Sequence, residues 1–185
     1  LYYINPMHTL FTLMVYATLG IAHQHNSNNA FLLFKIAACS LLTVVVWEVP
    51  GVFKLLSRPF EFLLGYSDPR HPELDPLHEW EFRSGLDRYI WIVGMLYAYA
   101  HPRLNELFER VDTLPQHTRW ALRAAGLGAC AVVMVPYYNT VFSLGKYEYN
   151  AWHPYTSFIP ITVFIVLRNY TQTLRRHTLT LFSWL

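Results

Sequence analysis

The chain has 185 residues, of which 54% are hydrophobic, 17% are aromatic and only 14% are charged. Ordinary soluble domains carry about 25% charged residues, so this composition disfavours a soluble domain and favours a membrane protein. The formal net charge of +2 indicates neither a nucleic-acid partner nor an acidic one. Cys39 and Cys130 both lie in apolar runs, and we expect buried free thiols rather than a disulfide.

Most apolar residues are grouped into runs that approach the 20 or so helical residues needed to cross a bilayer. Five spans are predicted, and an apolar run from residue 174 onward is expected to begin a sixth. Their approximate bounds are residues 6–22, 31–50, 86–100, 120–137 and 155–167. The predicted fold class is all-α, a polytopic transmembrane helix bundle. Because the chain begins at Leu1 and stops within an apolar run, we expect residues 1–185 to be a single fragment of a longer multi-span domain.

Residues 51–66, between the second and third spans, follow a different pattern. A single polar stripe runs along an otherwise apolar helix and consists of Lys54, Ser57, Arg58 and Glu61. This pattern is typical of an amphipathic helix that lies on the membrane surface. Pro59 is expected to break that interfacial helix into two short pieces.

The distribution of basic residues does not settle the orientation in the membrane. Alternate loops differ only slightly in their Lys and Arg content, and the difference favours the loops near residues 101–123 and 168–176 as cytosolic.

The densest group of ionisable side chains lies immediately before the third span, from residue 78 to residue 88. In a helix that starts near Leu77, Arg83 and Asp87 are four residues apart and are expected to pair on one face. His78 can accept a proton, a carboxylate can orient it, and arginine side chains can hold a phosphate or an oxyanion. Charge at a membrane boundary is costly and is usually retained for function. The alternative is a charge-compensated helix end. The candidate residues of this run are His78, Glu79, Arg83, Asp87 and Arg88.

A second group of candidates flanks the fifth span. His153 precedes it as a possible base or acyl acceptor, although the surrounding tyrosines and Trp152 also fit an aromatic belt at the membrane surface. Arg168 and Asn169 follow it, and Arg168 either holds a phosphate or extends from the helix end toward water. His8, within the first span, is either functional or bonded to a neighbouring helix carbonyl. No spacing of residues resembles a metal site.

Three segments of the charged run form a recognisable signature: His78-Glu79-Trp80, Phe82-Arg83 and Leu86-Asp87-Arg88-Tyr89. They resemble the signature of the ten-transmembrane acetyltransferase family, which includes plant reduced-wall-acetylation proteins, a fungal capsule O-acetylation protein and animal sialate O-acetyltransferase. The resemblance is greatest to the plant group and extends over nearly the whole chain, at residues 1–4, 7–11, 47–53, 153–157 and 167–169.

The resemblance implies a multi-pass O-acetyltransferase of the Golgi membrane. Cytosolic acetyl-CoA would donate acetyl groups to hydroxyls of cell-wall or capsule polysaccharide, without a metal, so the expected partners are that polysaccharide and membrane lipid. The catalytic residues would be His78, Glu79, Arg83, Asp87 and His153. The donor would be bound by Arg88, Arg168 and Asn169. An alternative is a transporter that supplies acetyl-CoA or acetyl groups to a separate luminal acetyltransferase.

Overall fold

The structure, a computed structural model, describes residues 4–176, and within this range it contains helices and no strands. The predicted all-α class is therefore confirmed. The α-helices of the described range are α1 (Ile4–Gly20), α2 (Asn29–Glu48), α3 (Val52–Ser57), α4 (Glu61–Leu64), α5 (His78–Leu86), α6 (Ile90–Thr113), α7 (Gln116–Tyr137), α8 (Lys146–Thr156), α9 (Phe158–Arg168) and α10 (Gln172–Arg176). A π-helical turn, Tyr138–Phe142, continues α7. The chain divides into two compact units, Leu1–Leu96 and Tyr97–Leu185.

Two helical segments of the described range are long and apolar enough to cross a bilayer. They are Asn29–Glu48, with 20 residues, and Gln116–Phe142, with 27 residues. At about 1.5 Å per residue, 20 residues cover the roughly 30 Å of hydrocarbon. Large apolar side chains on these helices are exposed, among them Phe34 (67%) and Val132 (74%). A core helix of a soluble protein would bury such side chains, so this surface suits lipid. The count of five to six spans stays a prediction, and the start of a sixth falls partly outside the described residues.

Prolines interrupt two of the predicted helices. The interfacial segment is broken into α3 and α4 by a 3₁₀ turn, Arg58–Phe60, as the position of Pro59 predicts. The helix expected over residues 155–167 is also divided, because α8 ends at Thr156 and α9 begins at Phe158. Pro160 has no N–H to donate to the carbonyl of Thr156, which accounts for a break at this point.

Aromatic side chains form the core of the first unit. The rings of Phe11 and Trp91 are stacked with their centroids 5.8 Å apart. The ring of Trp47 lies 5.7 Å from that of Phe53. Because these residues come from α1, α2, α3 and α6, their contacts hold four helices together. Trp80 of α5 belongs to the same buried cluster.

A serine joins α2 to α5. Trp47 Nε1 donates a hydrogen bond to Ser84 Oγ at 3.1 Å, and Ser84 Oγ donates in turn to the carbonyl of Trp80 at 2.7 Å. Ser84 is fully buried. The indole N–H of Trp47 therefore has a hydrogen-bond partner, the Ser84 hydroxyl, which is itself bonded to a carbonyl one turn earlier in α5.

Replacing Ser84 with Ala is expected to leave the indole N–H of Trp47 buried without a partner. Such a loss costs about 1–3 kcal/mol of unfolding free energy, so thermal unfolding of the full-length protein in detergent should begin at a lower temperature. Ser40→Ala is the control, because Ser40 Oγ bonds only the carbonyl of Ile36 in its own helix. Equal unfolding temperatures for the two variants would contradict this role of Ser84.

Lys35 binds the end of α1. Its ammonium group donates to the carbonyl of Ile21 at 2.6 Å, to that of Leu19 at 3.2 Å and to Asn26 Oδ1 at 2.9 Å. The last carbonyls of a helix have no partner within it and carry partial negative charge. A cation from α2 therefore completes the end of α1.

An ion-pair network holds the second unit together. The carboxylate of Asp112 on α6 accepts from Arg123 Nη2 of α7 at 2.7 Å and also from Arg175 Nη2 of α10. Arg119 Nη1 donates to the main-chain carbonyl of Asp112 at 2.9 Å. The side chains of Asp112, Arg123 and Arg175 are only 17%, 13% and 11% exposed. One carboxylate thus joins three helices.

Asp112→Asn is expected to destabilise the protein strongly, because two largely buried arginines lose their counter-charge. Breaking a buried pair from one side costs about 3–5 kcal/mol, which thermal unfolding of the full-length protein can measure. Glu106→Gln provides the matched control, since the Glu106–Arg110 pair is 4.0 Å apart and well exposed. An Asn variant as stable as that control would disprove the structural role of Asp112.

Candidate functional site

The charged run forms a helix, a turn and the start of a second helix. The sequence predicts one helix from Leu77 into the third span, but α5 ends at Leu86 and α6 begins at Ile90. The side chain of Arg88 accounts for the break, because its Nη1 donates to the carbonyl of Gly85 at 2.7 Å. A basic side chain that binds the last carbonyls of a helix terminates it. The prediction of a continuous helix here is wrong.

Arg83 forms an ion pair on its own helix. Its Nε donates to Glu79 Oε1 at 2.7 Å, one turn earlier, and both side chains are about one-third exposed. Asp87, the expected partner of Arg83, lies beyond the end of α5, so its pairing with Arg83 stays a prediction. The predicted residues Glu79 and Arg83 are thus brought together as an acid–base pair at the surface of α5.

Arg88 is bound to the end of α2. Its Nη2 and Nε lie 2.9 and 3.0 Å from Glu48 Oε1, and the side chain is only 14% exposed. The hydroxyl of Tyr89 donates to the same carboxylate oxygen at 2.7 Å. Because these contacts and Gly85 occupy its guanidinium, we interpret Arg88 as a residue that positions the turn. Its role in donor binding stays a prediction.

We expect Glu48→Gln to loosen the turn at residues 87–89. The neutral amide would leave Arg88 without its charged partner, and hydrogen bonds to charged groups are worth about 1.5–3 kcal/mol. Hydrogen exchange of full-length protein should show faster exchange at residues 85–90. Glu73→Gln is the control, because Glu73 lies in an exposed loop beside His71. Unchanged hydrogen exchange in the Glu48 variant would show that Glu48 does not hold the turn in place.

Asp87 lines a cavity together with a histidine of α1. The cavity has a volume of about 380 Å³, and it lies between α1 and the start of α6. Its lining residues are Met7, His8, Phe11, Thr12, Val15, Asp87, Ile90 and Trp91. A half-buried carboxylate and an exposed imidazole therefore line one largely apolar concavity, here called the His8 cavity. Nothing in the spacing of His8 and Asp87 along the chain signals that they share it.

The other two predicted catalytic groups occupy separate places. His78 is exposed at the first position of α5. His153 is half-buried on α8, and its Nδ1 lies 3.0 Å from the hydroxyl of Tyr149. Burial, followed by the neighbouring Tyr137, raises the pKa of Tyr149, so this hydroxyl keeps its proton near neutral pH. His78 and His153 belong to different units, and the structure leaves their shared role as a prediction.

The second unit contains two further concavities. The α6 cavity, of about 540 Å³, is lined by Tyr97, Ala98, His101, Pro102, Leu104, Asn105, Phe108, Ile165 and Asn169. The arginine groove, of about 490 Å³, is lined by Asn105, Glu109, Asp112, Thr113, Gln172, Arg175 and Arg176. Asn169, a predicted donor-binding residue, lines the α6 cavity. Arg168 precedes Asn169 in the chain and is the last residue of α9. His101 was not predicted from the sequence. Its spacing of four residues from both Tyr97 and Asn105 could have revealed it.

Among residues 4–176, no group of three or more His, Cys, Asp or Glu side chains is placed to hold a metal ion.

These features define a helical membrane protein with cavities that contain ionisable groups. Over residues 1–185 the chain matches the family described as "10 TM Acyl Transferase domain found in Cas1p", and it belongs to that family. It is also 27% identical to N-acetylneuraminate (7)9-O-acetyltransferase of Danio rerio, over 99% of this chain and 24% of the relative. The chain thus spans about a quarter of the length of that curated relative. No solved structure matches it.

Proposed function

We propose that the chain is part of a membrane O-acetyltransferase that moves acetyl groups from cytosolic acetyl-CoA to hydroxyls of a cell-wall or capsule polysaccharide in the Golgi. Membership of an acyltransferase family and similarity to a sialate O-acetyltransferase support the reaction class and a carbohydrate acceptor. The observation that carries the proposal is the His8 cavity, a largely apolar concavity whose lining includes both an imidazole and a carboxylate. An exposed imidazole at its rim can be reached by an acceptor hydroxyl, and a carboxylate in the same lining can orient the imidazole.

In the proposed reaction, His8 accepts the proton of the acceptor hydroxyl. At the same time the oxygen of that hydroxyl attacks the thioester carbonyl carbon. The resulting oxyanion collapses, the carbon–sulfur bond breaks, and the imidazolium returns the proton to the leaving thiolate. Asp87 would hold the imidazole in orientation and stabilise its charged form. The pair of Glu79 and Arg83 is available to bind the acceptor, and His78 and His153 stay as alternative bases or acetyl carriers.

The test measures transfer of labelled acetyl from acetyl-CoA by purified full-length protein in nanodiscs. His8→Ala is expected to lower the rate by about 100-fold or more, as for loss of a general base, and added imidazole should restore part of it. Asp87→Asn should lower the rate without preventing folding. His71→Ala is the control, because His71 is 60% exposed in a loop.

His78→Ala and His153→Ala, assayed in parallel, separate the remaining roles. If either abolishes transfer while His8→Ala does not, the base is assigned wrongly. Mass spectrometry after exposure to labelled acetyl-CoA would show label on His78 or His153 if a histidine carries the acetyl group. Normal rates in all three histidine variants would reject the catalytic proposal as a whole.

The second candidate is a transporter of acetyl-CoA or acetyl groups, acting with a luminal acetyltransferase. It is favoured by one observation, that the chain covers only 24% of the curated relative, so that transfer chemistry can reside elsewhere in such a protein. Sealed vesicles distinguish the candidates. Accumulation of intact acetyl-CoA inside vesicles without an acceptor would support transport, whereas acetylated acceptor without accumulation supports the enzyme.

A further inference from the structure

One face of α6 carries a stripe of side chains that lines both concavities of the second unit. The stripe recurs every three or four residues and consists of Tyr97, His101, Asn105, Phe108 and Asp112. Asn105 contributes to both linings, so the α6 cavity and the arginine groove adjoin each other. The stripe extends about 22 Å along the helix at 1.5 Å per residue. A long, narrow ligand could therefore contact both concavities at once.

The arginine groove suits an anion. Arg175 is fixed in place, since its Nη1 donates to the carbonyl of Asn169 at 2.7 Å and its Nη2 to Asp112. The neighbouring Arg176 is exposed and makes no side-chain hydrogen bond or ion pair within residues 4–176. Arginine presents a planar set of donors that matches phosphate oxygens. A preorganised arginine and an exposed one therefore line the same groove, where the separate phosphates of one ligand could contact both.

The groove also offers acceptors to a ligand that carries hydroxyl or amine groups. Glu109 lines it and accepts from Asn105 Nδ2 at 2.9 Å. A carboxylate repels phosphate but binds the hydroxyls of a ribose or the amine of a base. A nucleotide carries both kinds of group, so the mixed lining fits a nucleotide better than inorganic phosphate.

The α6 cavity suits a chain that contains amides. Its walls combine apolar side chains, such as Phe108 and Ile165, with the polar side chains of His101 and Asn169. Pro102 lies inside α6 and has no N–H to give to the carbonyl of Ala98, which lines the same cavity. That carbonyl is one hydrogen-bond acceptor that a regular helix would have used. The amide groups of a ligand could exchange hydrogen bonds with this mixed lining, which a purely hydrocarbon tail could not do.

We propose that these concavities form one site for a nucleotide-linked acyl thioester, with the phosphates at Arg175 and Arg176 and the amide-containing arm along α6 toward Tyr97. This inference rests on the proposed use of an acetyl-CoA donor and adds the location where that donor binds. The loops near residues 101–123 and 168–176, which supply the groove, are those that the positive-inside rule favours as cytosolic. In that orientation the site would accept its ligand from the cytosol.

The test measures the Kd of CoA for full-length protein in phosphatidylcholine nanodiscs, with adenosine 3′,5′-bisphosphate as a second probe that lacks the arm. Arg176→Gln is expected to weaken both probes by about tenfold or more, as for loss of a charge-assisted hydrogen bond. Ala98→Leu should weaken CoA but leave the bisphosphate unchanged, because the added side chain fills only the α6 cavity. Arg110→Gln is the charge-matched control, since its side chain is 81% exposed and pairs with Glu106.

Each remaining outcome decides against one part of the proposal. Wild-type affinity for CoA in both Arg176→Gln and Ala98→Leu would overturn the site while leaving acetyl transfer by the wild-type protein intact. Absence of both CoA binding and transfer in wild-type protein would instead overturn the proposed function. If phosphatidylserine added to the nanodiscs displaces CoA, and Arg176→Gln abolishes that effect, the groove binds an anionic lipid headgroup and the nucleotide assignment is wrong.

Discussion

The first unit depends on one carboxylate, Glu48, and on what binds it. Two nitrogens of Arg88 and the hydroxyl of Tyr89 converge on the same oxygen of Glu48. This contact joins the end of α2 to the turn between α5 and α6, although the residues are about 40 positions apart in the chain. The same arginine binds the carbonyl of Gly85 and so ends α5. The turn then places Asp87 in the lining of the His8 cavity.

In the second unit, too, a carboxylate near a helix end neutralises arginine side chains from other segments. Asp112 neutralises two arginines from α7 and α10, as Glu48 neutralises one from the turn. Charges near a bilayer are tolerated when they are paired or face a polar enclosure. In the second unit the paired Asp112 and Arg175 line the arginine groove, and in the first the neighbour of Arg88, Asp87, lines the His8 cavity. Stability and chemistry are therefore coupled, because weakening either ion pair alters the wall of a candidate site.

Local sequence rules predict what depends on neighbouring residues. The all-α class follows from composition, and the break in the interfacial helix follows from Pro59, since a proline acts on its own turn. The break after Leu86 could not be predicted, because it depends on Arg88 meeting Glu48 of a different helix. The presence of His8 and Asp87 in one lining is likewise a matter of packing. Helical spacing also favoured an Arg83–Asp87 pair, but the helix on which that spacing depends ends at Leu86.

Lys35 has a consequence for how the chain is inserted into the membrane. It is the seventh residue of α2, and its ammonium is bound by carbonyls at the end of α1. A lysine at the centre of a lone hydrophobic helix costs about 2.5–3.5 kcal/mol during insertion by the translocon, and the cost is smaller toward a helix end, where the side chain reaches water. With those carbonyls in place the charge is compensated, so α1 and α2 should partition into lipid together, as a helical hairpin. In this way one side chain, Lys35, links the insertion of α1 and α2 into the membrane to their contact in the folded protein.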